Sequence, residues 1–256
     1  MRPSTSSRAT RLLGAALTVG LVVLGLFAFV FTEADLVQLD AVRLLYVHVP
    51  VAILSYVGFS VCAFGSAMVL WKRSTWWDIT AAAGAELGVL FAGLTLITGA
   101  IWGRPIWNTW WEWGDVRLMT TLMMFLVYVG YLAYRRVVPA ADVRARRSAI
   151  IGLVGVLNIP IVNRSVEWWE SRTLHQKSTL GELKIEDLTL FTLMLGMVVF
   201  ALVFAWLMIH RFRVGWLEHQ AETVGLVAAM ADRRAQRDAE IDEALAHPGV
   251  SSGSDR

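Results

Sequence analysis

The sequence predicts an all-α membrane protein with six transmembrane helices. Hydrophobic residues make up 56% of the 256 residues and the mean hydropathy is +0.55, which is too apolar for a soluble domain. The apolar residues fall into six runs, and basic residues are concentrated in alternate connections between these runs. These observations predict a helical bundle that crosses the bilayer an even number of times.

The first crossing is expected at residues 12–31, which are uncharged for twenty positions after a basic N-terminus at residues 1–11. Twenty helical residues span a hydrocarbon core of roughly 30 Å. The competing interpretation is a cleaved signal peptide, whose apolar core is usually shorter. No convincing small-x-small cleavage site precedes Glu33, so we expect a retained membrane helix.

Five further apolar runs follow, and residues 12–210 together are expected to form one six-helix domain. The later runs lie at about 44–71, 79–101, 118–134, 148–163 and 188–210. The third run carries one acid, Glu86, for which a functional role and a contact with headgroups or a helix partner are equally open. Pro160 in the short fifth run is tolerable where neighbouring helices satisfy the freed backbone groups.

The basic residues predict the orientation. The N-terminus, the connections at 72–78 and 135–147 and the start of the C-terminal tail hold twelve Lys and Arg residues. The alternate connections hold seven, together with ten acids. By the positive-inside rule both termini are expected in the cytoplasm. Because no transit sequence is visible, we expect a bacterial plasma (inner) membrane.

The tail, residues 211–256, is expected to be cytoplasmic. Residues 221–246 are rich in Ala, Glu, Asp and Arg at helical spacing, and the final Ser/Gly/Asp stretch is predicted to be disordered. No chemistry is predicted for the tail. The net charge of +2 gives no reason to expect nucleic-acid binding.

The segment at residues 102–117, between the third and fourth runs, is unusually rich in tryptophan. It holds five of the twelve tryptophans of the protein: Trp102, Trp107, Trp110, Trp111 and Trp113. An interfacial aromatic belt is one explanation, but a belt is distributed over both ends of every crossing. A platform for a flat aromatic ligand on the outer side is an equally open alternative.

Two histidines are expected on the same outer side as this segment. His48 lies at the start of the second run, and His175 lies in the connection before the sixth. A lone interfacial histidine is more often structural than a ligand. A pair of neutral imidazoles is, however, what six-coordinate haem iron requires, and indoles can stack on a porphyrin. Without a third protein ligand the pair makes a poor zinc site.

Haem propionates require cations, and five outer-side arginines could supply them. These are Arg43, Arg104, Arg117, Arg164 and Arg172, and the sequence does not choose among them. Asp115 can cap the helix that begins near Val116, and this role is as open as a functional one. The single cysteine, Cys62, excludes intrachain disulfides and the Cys-x-x-Cys-His signature of covalently held haem.

Three motifs occur in order between residues 41 and 210: RLLYVHVP, TGAIWGRPIWNTWWEWGDVRL and NIPIVNRSVEWWESRTLHQ. With six crossings, they resemble the haem-handling WWD membrane proteins, most closely the cytochrome c maturation protein C family. The family places its aspartate directly after the last tryptophan, whereas Gly114 intervenes here.

The resemblance implies that His48 and His175 are axial ligands of a haem b held transiently at the outer, periplasmic face. It implies a haem platform composed of Trp102, Gly103, Trp107, Trp110, Trp111, Trp113 and Asp115, and we add Trp168 and Trp169 from the third motif. These are binding roles, and no catalytic residue is expected.

The resemblance also implies a role in delivering haem to the haem chaperone CcmE, together with an ABC-type complex of CcmA, CcmB and the small membrane protein CcmD. Related haem lyases have additional crossings and histidines that this chain lacks, so we expect a delivery component and not an enzyme. Two alternatives are a b-haem quinol oxidoreductase, with histidine pairs at two depths, and a haem-free transporter or scaffold.

Overall fold

The computed structural model describes residues 5–175 and 187–246, and these residues form a bundle of helices. The α-helices are α1 (Arg8–Leu26), α2 (Leu45–Lys72), α3 (Thr75–Trp107), α4 (Val116–Val137), α5 (Ala141–Val156), α6 (Asn158–Trp168) and α7 (Asp187–Ala246). A π-helical turn (Phe27–Phe31) extends α1, and 3₁₀ turns at Asp40–Leu44 and Glu170–Arg172 precede α2 and follow α6.

Six helical segments of the described chain are long and apolar enough to cross a membrane. They are Arg8–Phe31, Asp40–Lys72, Thr75–Trp107, Val116–Val137, Ala141–Trp168 and Asp187–Asp242. Each exceeds the length needed for roughly 30 Å of hydrocarbon. The predicted six-crossing, all-α fold class is therefore confirmed.

The antiparallel pair α2 and α3 forms the centre of the bundle, and glycines bring these two helices into close contact. A Cβ atom added at Gly58 would lie 2.6 Å from the backbone nitrogen of Gly88. The same register pairs Gly65 with Ala81 nearer the turn between the helices. Ten residues before Gly58 on α2 and ten residues after Gly88 on α3, the same register places His48 opposite Thr98. Small residues at the helix contact thus determine what His48 faces.

The fifth crossing consists of two helices, α5 and α6, that meet at Leu157. Asn158 is buried at this junction and its side-chain amide donates to the backbone carbonyl of Thr120, 2.9 Å away in α4. This bond anchors the start of α6, where Pro160 lacks a backbone donor. The crossing therefore spans Ala141–Trp168, longer at both ends than the apolar run at 148–163.

Two ionic contacts join different helices in the half of the bundle that contains Lys72, whose end we call the basic end. Arg135 donates to both carboxylate oxygens of Asp78, at 2.6 and 2.8 Å, and to the hydroxyl of Ser148 at 2.9 Å. Glu86 accepts two hydrogen bonds from Arg211 of α7. A helix partner therefore accounts for Glu86, one of the interpretations left open by the sequence.

The last crossing and the tail helix are continuous. α7 runs for 60 residues from Asp187 to Ala246 without an intervening break. The helix predicted for residues 221–246 is thus an extension of the sixth crossing. Residues 247–256, predicted to be disordered, lie outside the described residues.

Candidate functional site

The tryptophan-rich segment begins inside α3. This helix extends to Trp107, so Trp102 and Gly103 lie on its last two turns, and only the later tryptophans lie in the connection to α4. The helix ends at Asn108, which has a left-handed backbone with φ of 56°. Arg104 closes the end by donating to the backbone carbonyl and side-chain oxygen of Asn108, each at 2.7 Å.

His48 is held between α2 and α3 at the end of the bundle opposite the basic end, which we call the histidine end. Its Nδ1 lies 2.9 Å from the Thr98 hydroxyl, and its ring lies edge-on to Trp102 with centroids 5.5 Å apart. The indole N–H of Trp102 donates to the side-chain oxygen of Gln38 at 3.0 Å. A chain of contacts thus links the segment before α2 to the candidate ligand.

The hydrogen bonds of Thr98 favour one tautomer of His48. The Thr98 hydroxyl lies 2.7 Å from the Leu94 carbonyl, to which it donates its single proton. A hydroxyl whose proton is used on this carbonyl can only accept from His48, so the arrangement favours the tautomer with the proton on Nδ1. The Nε2 lone pair is left available, as a metal-ligating imidazole requires.

His175 is held in the same way by Asp115. Its Nδ1 lies 3.2 Å from Oδ2 of Asp115, and its ring lies edge-on to Trp107 with centroids 4.8 Å apart. A carboxylate only accepts, so Nδ1 donates and Nε2 is again available. The two imidazoles and the guanidinium of Arg117 lie close enough to interact electrostatically.

Asp115 is buried and organises its surroundings. Its Oδ1 accepts from the backbone N–H of Leu118 at 2.9 Å, which confirms the predicted cap of α4. Its Oδ2 accepts from the backbone N–H of Leu174 at 2.7 Å and from the Thr173 hydroxyl at 3.0 Å. Burial raises the pKa of Asp115, but the hydrogen bonds from His175, Leu118 and Leu174 outweigh it and lower the pKa to about 2. Asp115 is thus a carboxylate throughout the physiological range.

The cleft beneath the tryptophans is too small for a porphyrin. Its volume is about 10 Å³, enough for one water. Its lining residues are Gly99, Gly103, Trp107, Thr109, Trp110, Trp111, Glu112 and Leu118. By contrast, Trp110 and Trp113 are 58% and 73% exposed. A flat ligand is therefore accommodated only on this exposed side, or after the tryptophans move.

Two further features bear on ligand binding. The indole nitrogen of Trp111 is buried without a hydrogen-bond partner in the described chain, so a donor remains unused inside the tryptophan segment.

Trp168 and Trp169, at the end of α6, lie edge-on to each other at 5.7 Å. Among the described ring contacts, neither touches a tryptophan of the 102–117 segment.

The five candidate arginines have different surroundings. Four of them have partners within the protein: Arg43 with Asp40, Arg104 with Asn108, Arg117 with the Asn163 carbonyl and Arg164 with Glu167. Arg172 is exposed, and its guanidinium has no partner within the described residues. It lies three positions before His175 and is thus the candidate whose guanidinium is not engaged by another described residue.

The structure brings five of the predicted site residues to one end of the bundle and adds two partners that the sequence did not indicate. His48 with Trp102 forms one group of contacts, and His175 with Asp115 and Trp107 forms a second, both at the histidine end. The sequence interpretation missed Thr98 and Gln38 as partners. A signal for Thr98 existed, because it precedes Trp102 by one helical turn and so shares a helix face with it.

Fold and site together define a class: a multi-pass helical membrane protein with paired imidazoles and clustered indoles at one end. The family model described as Heme exporter protein C matches residues 3–226 of this chain. The chain belongs to this family.

Named relatives agree with this membership. Heme exporter protein C of Bradyrhizobium diazoefficiens is 35% identical over 218 residues, which cover 84% of this chain and 82% of the relative. Heme exporter protein C of Escherichia coli K12 is 36% identical over 204 residues, 78% of this chain and 81% of its own. A ccmC-like mitochondrial protein of Marchantia polymorpha, named for cytochrome c biosynthesis, is 36% identical over 149 residues, 58% of this chain and 61% of its own.

Proposed function

We propose that this protein binds haem b transiently at the outer face of a bacterial inner membrane and delivers it for cytochrome c maturation. Family membership and the names of the relatives support the general role in haem export. The proposed haem site is supported by one observation: the two imidazoles are held in the same way. Each has its Nδ1 bound to a protein acceptor and its ring against a tryptophan of the same segment.

In this proposal His48 and His175 are the axial iron ligands, and their Nε2 atoms bind the metal. The exposed indoles supply a surface for one porphyrin face or edge. Trp110 and Trp113 are the most exposed tryptophans of the segment, so they are suited to that contact. Arg172 is the first candidate for a propionate because its guanidinium has no partner within the described chain.

A site of this kind supports release as well as binding. His48 lies in the first turn of α2, and His175 lies beyond α6, so both ligands are at the edge of the bundle. A porphyrin bound there keeps one edge accessible to a partner. We propose that this partner is the membrane-anchored haem chaperone CcmE, acting with the ABC-type complex of CcmA, CcmB and CcmD. The protein itself then needs no bond-making residue.

The test is the visible spectrum of purified protein carrying His48→Ala, His175→Ala or both. We expect each single variant to lose the six-coordinate low-spin spectrum, and the double variant to lose most bound haem. His219→Ala, on α7 beyond the basic end, is the control and should leave the spectrum unchanged. A double variant with unchanged haem content and Soret band would contradict the axial-ligand assignment.

A further inference from the structure

The two candidate ligands are held by acceptors of different charge. His48 donates to a neutral hydroxyl, whose own proton is used on the carbonyl of Leu94. His175 donates to the Asp115 carboxylate, whose side chain is fully buried. A carboxylate acceptor draws the Nδ1 proton away from the ring more strongly, which makes the opposite nitrogen a better electron donor to a metal.

The two acceptors are themselves fixed in place. Thr98 is on α3 and its hydroxyl is tied to the preceding turn of that helix. Asp115 is held by the start of α4 through Leu118 and by the segment before His175 through Thr173 and Leu174. Neither acceptor can turn away without losing these bonds, so each fixes both the ring orientation and the position of the proton.

We propose that Thr98 and Asp115 are positioning residues that fix both imidazoles as Nδ1–H tautomers and make His175 the stronger iron ligand and His48 the weaker. This inference rests on the proposed haem-binding function. It adds that the two ligands are unequal, so that haem is held chiefly by the His175 side and is exchanged on the His48 side.

Cavity variants test the inference directly. His48→Gly and His175→Gly each leave space for an added ligand beside one acceptor. Imidazole can donate an N–H to that acceptor, whereas 1-methylimidazole bound through its free nitrogen cannot. The affinity of each probe is measured by titrating the Soret band of the haem-loaded variant, and the ratio of affinities is compared with that for free haem in the same detergent.

We expect imidazole to be favoured over 1-methylimidazole by about tenfold in His175→Gly and by about two- to threefold in His48→Gly, relative to free haem. Hydrogen bonds to a charged acceptor are roughly twice as strong as neutral ones, which gives the larger ratio at the Asp115 side. Adding the isosteric Asp115→Asn or Thr98→Val to the matching cavity variant keeps the space but changes the acceptor. The ratio should then fall toward the free-haem value.

The outcomes separate this inference from the proposed function. If the cavity variants keep the wild-type spectrum, the axial-ligand proposal fails. If they lose a ligand but show the free-haem ratio, only the positioning inference fails. If the preference for imidazole over 1-methylimidazole were raised equally in the two variants, the proposal that the two ligands differ in strength would be contradicted.

A second comparison does not depend on the cavity variants. Thr98→Val should convert part of the bound haem to a high-spin form, because His48 without its acceptor loses its fixed tautomer. Thr98→Ser retains a hydroxyl and should keep the low-spin spectrum. A fully low-spin Thr98→Val protein would contradict a role for Thr98.

Discussion

Arg172 differs from the other candidate arginines in having a guanidinium without a partner in the described chain. We expect Arg172→Ala to weaken haem binding by about tenfold, because a charge-assisted bond to a propionate contributes on the order of 1.5 kcal/mol. Arg164→Ala is the control, since Arg164 already pairs with Glu167. Haem affinity is measured by titration of the apoprotein. A larger loss for Arg164→Ala than for Arg172→Ala would contradict the assignment.

Gly99 determines the space available to the ring of His48. A Cβ atom at Gly99 would lie 3.0 Å from Cε1 of His48, closer than ordinary contact. We expect Gly99→Ala to displace the ring from Thr98 and to reduce the low-spin fraction of bound haem. Gly93→Ala on the same helix is the control, because its nearest neighbour, a carbon of Phe125, would be 3.5 Å away. Identical spectra for the two alanine variants would show that the ring tolerates the methyl group.

At the residue scale, the sequence indicated the ligand candidates but not their partners. His48 and His175 were chosen by residue type and side of the membrane. The bond to Thr98 depends on the register of α2 against α3, which is set by backbone contacts at glycines far from the site. The bond to Asp115 depends on the path of the chain after α6, for which local sequence patterns give no signal.

At the scale of elements, the contact between α2 and α3 links packing to the site. Gly58→Ala would place a methyl group 2.6 Å from the Gly88 backbone, which cannot move aside as a flexible side chain would. We expect a loss of about 1–3 kcal/mol in stability, as for other overpacked contacts. We also expect haem retention to fall, although Gly58 lies ten residues from His48. The measurements are thermal unfolding in detergent and haem content.

Gly130→Ala is the matched control for this prediction. A Cβ atom at Gly130 in α4 meets nothing within 4 Å and alanine favours the helix, so the stability should not fall and the haem content should be unchanged. If Gly58→Ala lowers the stability while the haem spectrum stays intact, the register of α2 and α3 does not control the site.

The element boundaries show where local patterns mislead. The third apolar run was predicted to end at about residue 101, before the tryptophan-rich segment, yet α3 continues to Trp107. The helix accommodates Arg104 because the guanidinium bonds to Asn108 at the helix end. The sixth apolar run was likewise predicted to end at about residue 210, with a tail helix over residues 221–246. Helical propensity continues across that boundary, and α7 does not break.

At the scale of the whole molecule, the sequence predicted six crossings and the grouping of distant motifs at one end. The prediction of six crossings is confirmed because apolar run length is a physical requirement of a bilayer. The described structure gathers His48, Asp115 and His175 at one end and the Asp78–Arg135 pair at the other. Bundle geometry alone, however, does not orient those ends relative to the membrane.

Labelling of single cysteines determines the orientation. Cys62 is the single cysteine, so a Cys62→Ala background has no native thiol that could react with a membrane-impermeant maleimide. Leu36→Cys lies at the histidine end, where the native side chain is 98% exposed, and Leu226→Cys lies on the exposed extension of α7. In spheroplasts we expect Leu36→Cys to react at once and Leu226→Cys only after permeabilisation, because basic connections stay in the cytoplasm. The reverse pattern would place the paired imidazoles on the cytoplasmic side, where they could not present haem to a partner outside the membrane.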